Sequence, residues 1–381
     1  MIKKIYKVLS IILLFICTTV FSGCWDYTDI DRRGIYTSVG IDKLKGDIEI
    51  TSESAGFKTS LSKGENKAEP RIIHEISSYG INFEEARFND DLKTPFPIFL
   101  GAVKTVVFSQ NYAKDGILPY INRINRLYDY RKTILPVVSR EPPKEIFDLT
   151  VSNDLSPGFL IEDIVRTLNQ TGKGIYVTFK DILNFTSLKE IGFILPYVGI
   201  ESGLISYLGF AVINDQGKLI DVIDMNNSKG IIYLLSNNPK LTEYSSLMDS
   251  SNLLSTTPIN FKRKVKTQYI DDKVIINIDL KLKEKLEYTY EETSLSHDDL
   301  IMLENILSNK IKGYIVNTVS KAQEDYKCDI FQFLRYFRAQ NPKAYKTIDW
   351  KEKFPKAEVS VNVDVKIASV CLYDYKANNK K

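Results

Sequence analysis

Two segments in which apolar and polar residues alternate without exception constrain this chain most. In Ile276-Asn277-Ile278-Asp279-Leu280-Lys281-Leu282-Lys283 every second side chain is apolar, and the same holds from Ala357 through Val359, Val361, Val363 and Val365 to Ile367. A period of two sets one face of a strand on a core and the other in water. Antiparallel sheets tolerate that one-sided exposure, whereas parallel sheets covered on both faces do not. Between the two segments runs a helical stripe, Leu300, Leu303, Leu307, Ile311, Tyr314 and Ile315, at spacings of three and four, with Glu304, Lys310 and Lys312 off it. This helix is expected to lie on the sheet, with Ser296-His297-Asp298-Asp299 supplying its N-cap and first-turn acids.

At 381 residues the chain is too long for one compact core. An α+β protein of three mixed α/β modules is expected: 24–140, a mainly helical 141–204, and 205–381, the last a mainly antiparallel sheet covered by the long helix. In the first module, Ile35 to Ile41 and Ile48 to Thr51 read as strands around Lys45-Gly46-Asp47, and residues 59–70 as an exposed loop. A short helix is expected near Asn82, a strand over Val103 to Phe108, a helix over Ile117 to Leu127, a strand over Thr133 to Ser139 and a helix starting at Pro142-Pro143. Helical spacing returns at Phe159 to Leu168 and Thr178 to Leu188, and Leu195-Pro196 breaks the pattern. A hairpin over Ile205 to Ile213 and Lys218 to Ile223 is expected to open the C-terminal module. Arg123, Arg126, Arg131 and Lys132 read as a solvated helix end.

The N-terminus has the order of a secretory signal peptide: basic Lys3, Lys4 and Lys7, an apolar run from Val8 to Ile16, then Phe21-Ser22-Gly23-Cys24. The apolar stretch is about 14 residues, short of the roughly 20 that a membrane span needs. Small residues directly before a cysteine are what lipoprotein-processing enzymes require, although Phe21 stands where Leu is usual. The expectation is cleavage between Gly23 and Cys24, with residues 1–23 discarded and Cys24 carrying an S-diacylglyceryl group and an N-acyl chain, palmitate among the candidates. Two acyl chains suffice for stable anchoring where one does not.

Charge excludes one class. Lys+Arg number 51 against 48 acids, and without the three signal-peptide lysines the balance is 48 of each sign, so no global field favours a polyanion. His74 and His297 are the only histidines, too few for a histidine-rich metal site, and no metal or other cofactor is expected. His297 reads as an exposed helix-start residue and His74 as a strand or loop side chain. Gly199-Ile200-Glu201-Ser202-Gly203 has the wrong spacing for a nucleophile elbow, and Gly101-Ala102-Val103-Lys104-Thr105 lacks the glycine before the lysine of a phosphate loop. No carboxylate pair stands out as acid and base, so no catalytic residue is assigned. Cys328 and Cys371 remain after processing, as buried thiols or as a disulfide. Asp329-Ile330-Phe331-Gln332 has the order of a capping box, with Asp329 at the N-cap and Asp329→Asn accordingly near silent.

Several short motifs together resemble the Ger(x)C family, the lipoprotein C subunits of bacterial spore nutrient-germinant receptors. They are Cys24-Trp25-Asp26 with Ile30-Asp31 and Val39-Gly40-Ile41-Asp42, Phe83-Glu84-Glu85-Ala86-Arg87 with the strand from Phe99 to Phe108, and Leu195-Pro196 before Gly209-Phe210-Ala211-Val212. Further on come Gln323-Glu324, Asp329-Ile330-Phe331, and Trp350 with Phe354. Cys328 and Gln332-Phe333 depart from the family's pattern. The resemblance implies a non-enzymatic receptor subunit needed for the germination response to nutrients. It would be lipid-anchored through Cys24 on the outer face of the spore inner membrane, beside integral-membrane A and B subunits, with no nucleic-acid partner. The alternative is a solute-binding lipoprotein of a transporter, whose lobes would show continuous apolar strands of parallel sheets.

Overall fold

The computed structural model describes residues 5–7, 29–57, 70–127, 129–151, 156–247, 253–289 and 295–369. The signal region from 8 through Cys24, the expected loop at 59–70 apart from Pro70, and Cys371 lie outside them.

The chain runs β1 (Gly34–Leu44), β2 (Asp47–Phe57), β3 (Pro70–Gly80), α1 (Phe83–Asp91), β4 (Ile98–Phe99), β5 (Thr105–Ser109), α2 (Gln110–Asp115), α3 (Leu118–Arg126) and β6 (Leu135–Ser139). Three helices follow, α4 (Pro143–Phe147), α5 (Pro157–Gln170) and α6 (Phe179–Thr186), then β7 (Phe193–Glu201), β8 (Leu204–Ile213) and β9 (Leu219–Asp224). These strands form one mixed sheet in the order β3-β2-β1-β5-β6-β7-β8-β9, with β4 beside β1. Its centre, β1-β5-β6-β7, is parallel and its flanks are antiparallel.

The central strands read as continuous apolar runs because both their faces are covered. Val106, Phe108 and Val138 pack with Tyr120, Ile121 and Ile124 of α3, while Val107, Leu135 and Val137 pack on the opposite face with Ile146 of α4 and Ile161 and Val165 of α5. Two differences from the sequence reading arise here. Strand β7 continues through Pro196, because its ladder to β6 begins only at Tyr197. The hairpin of β8 and β9 is present but hydrogen-bonds through β7 into the large sheet, so the pairing runs unbroken across residue 204.

Helix α5 comes very close to the sheet. Its N-cap Ser156 and the amide of Gly158 both donate to Oε2 of buried Glu53, at 3.0 and 3.1 Å. A Cβ on Gly158 would stand 1.7 Å from Ser38 Oγ and 2.6 Å from that Glu53 oxygen. Gly158→Ala is therefore expected to lower stability by about 2 kcal/mol or more, read as a lowered urea midpoint. An unchanged midpoint would mean that β1 yields freely.

Past α7 (Lys229–Leu235), the strands β10 (Glu243–Ser246), β11 (Leu253–Ile270) and β12 (Lys273–Thr289) lead to α8 (His297–Glu324), α9 (Phe333–Gln340), α10 (Trp350–Lys353) and β13 (Glu358–Ser369). The second sheet has the order β10-β11-β12-β13. It is mainly antiparallel and packs against the 28-residue α8, as the alternation and the stripe indicate. The two alternating segments are nevertheless parallel to each other. The period of two reports one-sided burial here, and α8 is the crossover that parallel neighbours require. Leu303, Leu307, Ile311 and Ile315 are buried against Ile276, Ile278, Leu280 and Leu282, in a core continuous with one face of the large sheet.

Both edges of the second sheet are occupied by side chains. Beyond its pairing with β10, β11 meets Gln340, whose Oε1 accepts from Thr267 N at 2.7 Å and whose Nε2 donates to Val265 O at 3.0 Å. Asn341 donates to Thr267 O at 3.1 Å. On the other side, Val365 N donates to Ser308 Oγ and Ile367 N to Glu304 Oε1, both residues of α8. On β10, the Tyr244 carbonyl accepts from Lys310.

Candidate functional site

The inward register of β12 carries apolar residues up to Leu282 and then Glu284, fully buried. Its carboxyl makes no hydrogen bond to another described residue. Burial pushes its pKa up to about 8, against a lowering by Thr256 and with a further rise from Glu243. Glu284 is thus protonated at neutral pH. Glu243 on β10 is equally buried but well partnered: Lys229 Nζ stands 2.9 Å from Oε2, and the hydroxyls of Tyr233 and Tyr314 donate at 3.3 Å. Lys229 also lies over the Tyr314 ring, 5.2 Å from its centroid. One carboxyl held protonated and another beside an ammonium could in principle divide acid and base roles. Here α7, α8 and the sheet enclose both carboxyls, which have no exposed surface to offer a substrate.

A second node joins the two sheets. Asp329 forms an isolated bridge with Ile191, just before β7, and its carbonyl accepts from Gly192 N at 3.0 Å. Its carboxylate is fully buried, with Oδ1 accepting from Phe331 N at 3.0 Å and Oδ2 from Leu334 N at 2.9 Å and Trp350 Nε1 at 3.2 Å. Trp350 N in turn donates to Glu190 Oε2 at 3.0 Å. Burial pushes the Asp329 carboxyl above its usual range, and these donors pull it back. The expected capping box is corrected by this geometry. The helix begins at Phe333, its N-cap is Gln332 in a left-handed conformation at φ 63, and Gln332 Oε1 accepts from Arg335 rather than from an N-cap amide. Asp329 serves the first turn from three residues before that cap.

Cys328 beside this node is a buried free thiol, its pKa pushed up to about 12 by burial. Gly23 and Cys24 lie outside the described residues. His297 is the exposed first residue of α8, with Ser296 and Asp299 forming the capping box, and His74 lies in β3. Arg123 departs from a solvated helix end: it is largely buried and pairs with Glu84 of α1 through Nε at 2.8 Å and a second nitrogen at 3.3 Å.

Among the described residues no group of His, Cys, Asp and Glu is placed to hold a metal, and no helix is long and apolar enough to cross a membrane. A polar cleft of about 460 Å³ opens where β5 and β6 begin, lined by Lys104, Arg131, Glu162, Arg166 and Tyr176 among others. Glu162 is already engaged by Arg166 and by the Tyr176 hydroxyl at 3.0 Å. The most heavily bonded polar groups, Glu243 and Asp329, lie inside the protein.

Two family models match the chain in succession, with their boundary inside the large sheet, so that β9 and most of β8 fall within the second match. Residues 26–200 match the family described as spore germination protein N-terminal domain, and residues 208–370 the one described as spore germination B3/GerAC like, C-terminal. Among curated relatives from Bacillus subtilis (strain 168), spore germination protein YndF is 22% identical over 403 residues, covering 96% of each chain. Spore germination protein B3 is 21% identical, covering 95% of this chain and 96% of its own, and spore germination protein A3 is 23% identical, covering 94% and 96%. The crystal structure of the GerBC protein shares the fold, with a TM-score of 0.57 at 17% identity, covering 87% of this chain and 96% of that one.

Proposed function

This chain belongs to the Ger(x)C family of spore germination proteins, and on that premise we propose that it is the lipid-anchored subunit of a nutrient-germinant receptor. The observation that carries this reading is the position of Cys24. It follows Ser22-Gly23 at the end of an apolar leader, and the first family domain is matched from residue 26, directly after it. Acyl chains on Cys24 would hold the folded body at the outer face of the spore inner membrane, where integral A and B subunits would be its partners. On this reading the role is non-enzymatic, as the family assignment implies.

The test is fractionation of spores carrying Cys24→Ala. The variant is expected to fold, to leave the membrane fraction for the soluble one, and to slow the germination response. Retention in the membrane without acylation would show that protein partners or an uncleaved leader hold the chain there.

A further inference from the structure

The outer face of the second sheet is uncovered by any described element and carries an uneven charge. Outward positions on β11 are even-numbered, those on β12 odd and those on β13 even, giving four cross-strand rows: Asn260-Lys283-Lys366, Lys262-Lys281-Asp364, Lys264-Asp279-Asn362 and Lys266-Asn277-Ser360. Lys262, Lys264, Lys266, Lys281 and Lys283 are all exposed, and none of the five has an ion-pair partner among the described residues. Lys366, by contrast, is held by Glu304 at 2.7 Å. Asp279, Asp364, Glu287 and Glu358 stand at outward positions too, the two glutamates already paired with Lys285 at 2.8 Å and Lys273 at 2.7 Å.

The arrangement is unfavourable for folding alone. Lys262 sits directly opposite Lys281, and like charges at that position destabilise a sheet. Charge bookkeeping sharpens the point, because the chain without its leader balances at 48 of each sign, yet concentrates five unshared lysines on one broad surface. Ile270, 49% exposed, ends the same outward row on β11.

We propose that this lysine face docks on the anionic surface of the lipid bilayer, orienting the protein against the membrane. The proposal rests on the reading that Cys24 anchors the chain there, and commits to lipid because of charge complementarity. A broad array of flexible ammonium groups with an apolar residue at its end suits a plane of phosphate headgroups, and each lysine near such a surface strengthens binding about fivefold. Held on a tether, even a weak face attraction fixes which side of the protein points outward.

The experiment uses unlipidated protein from Trp25 onward, which keeps both sheets and their cores, so its outcome is independent of acylation. Co-sedimentation is measured with vesicles of mixed phosphatidylglycerol and phosphatidylcholine and with phosphatidylcholine alone. Binding is expected to the anionic vesicles only, and to disappear between about 50 mM and 500 mM salt as the charges are screened. A variant with Lys→Gln at 262, 264, 281 and 283 is expected to bind a few hundredfold more weakly at an unchanged or raised melting temperature. A control variant with Lys→Gln at 114, 189, 312 and 346 should bind like the parent. Absence of parent binding, equal binding to neutral vesicles, equal loss in the control, or retention of duplex DNA without vesicles would each overturn the assignment. Failure of the Cys24→Ala fractionation, in contrast, would bear on the anchor alone.

Discussion

Asp329→Asn is expected to lower the melting temperature by roughly 6–12 °C, corresponding to about 3 kcal/mol in a domain of this size. The charge matters because every group facing the carboxylate is a donor. Oδ1 receives one backbone N–H, and Oδ2 receives another together with the Trp350 indole. An amide offers one accepting oxygen and one NH₂, so in either orientation a donor would face a donor inside a fully buried site. Asp329→Ala should lose at least as much. The loss should also loosen the contact between 190–192 and the segment around Trp350, seen as faster amide exchange at Gly192, which donates to the Asp329 carbonyl. An Asn variant with parental stability would restore the simple capping account that the sequence suggests.

Glu284→Gln is expected to stabilise the protein at high pH and leave it unchanged at low pH. The folded-state pKa of about 8 lies above the ordinary 4.5, so the folded protein holds this proton where the unfolded chain has released it. Its contribution to stability is complete below pH 4.5 and is lost as the pH rises toward 8, at about 1.4 kcal/mol per pH unit. A neutral glutamine removes that slope. Thermal unfolding of parent and variant between about pH 4 and 9 should give curves that meet at the acid end and separate by several kcal/mol at the alkaline end. Parallel curves would show that burial does not hold the Glu284 carboxyl above the ordinary 4.5 in the folded protein.

Much of the fold is legible in the sequence because its strands and helices each obey one local rule. The alternation in β12 and β13, the stripe of α8 and the Ser296 cap are decided by residues within a few positions of each other. Strand direction is not local. Ile276 and Val359 have the same pattern in a parallel pair as they would in an antiparallel one, since only burial on one side is encoded. Pro196 likewise signals a break only when its neighbours are unknown, and the short ladder to β6 accommodates it.

The buried polar nodes were partly readable. Extending the alternation of β12 by one step past Leu282 puts Glu284 on the inner face, where a carboxyl must be neutral or partnered. Nothing near Glu243 indicates that Lys229 and Tyr314 converge on it, because those residues reach it from helices 14 and 71 positions away. For Asp329 the local order suggests a cap, but the left-handed Gln332 shifts the helix start and Trp350 arrives from 21 residues downstream. The lysine face is visible as residues in the sequence but becomes one surface only once the register aligns three strands.

The side chains along the edges of the second sheet bear on how closely copies of this chain can crowd together. A bare strand edge invites another chain to add a strand, a route to runaway assembly when many copies share one surface. Here the backbone groups that a visiting strand would seek at Thr267, Val365 and Ile367 are already taken by Gln340, Asn341, Ser308 and Glu304. Neighbouring copies of this chain can therefore touch through side chains on their faces while remaining separable, without knitting into a fibre.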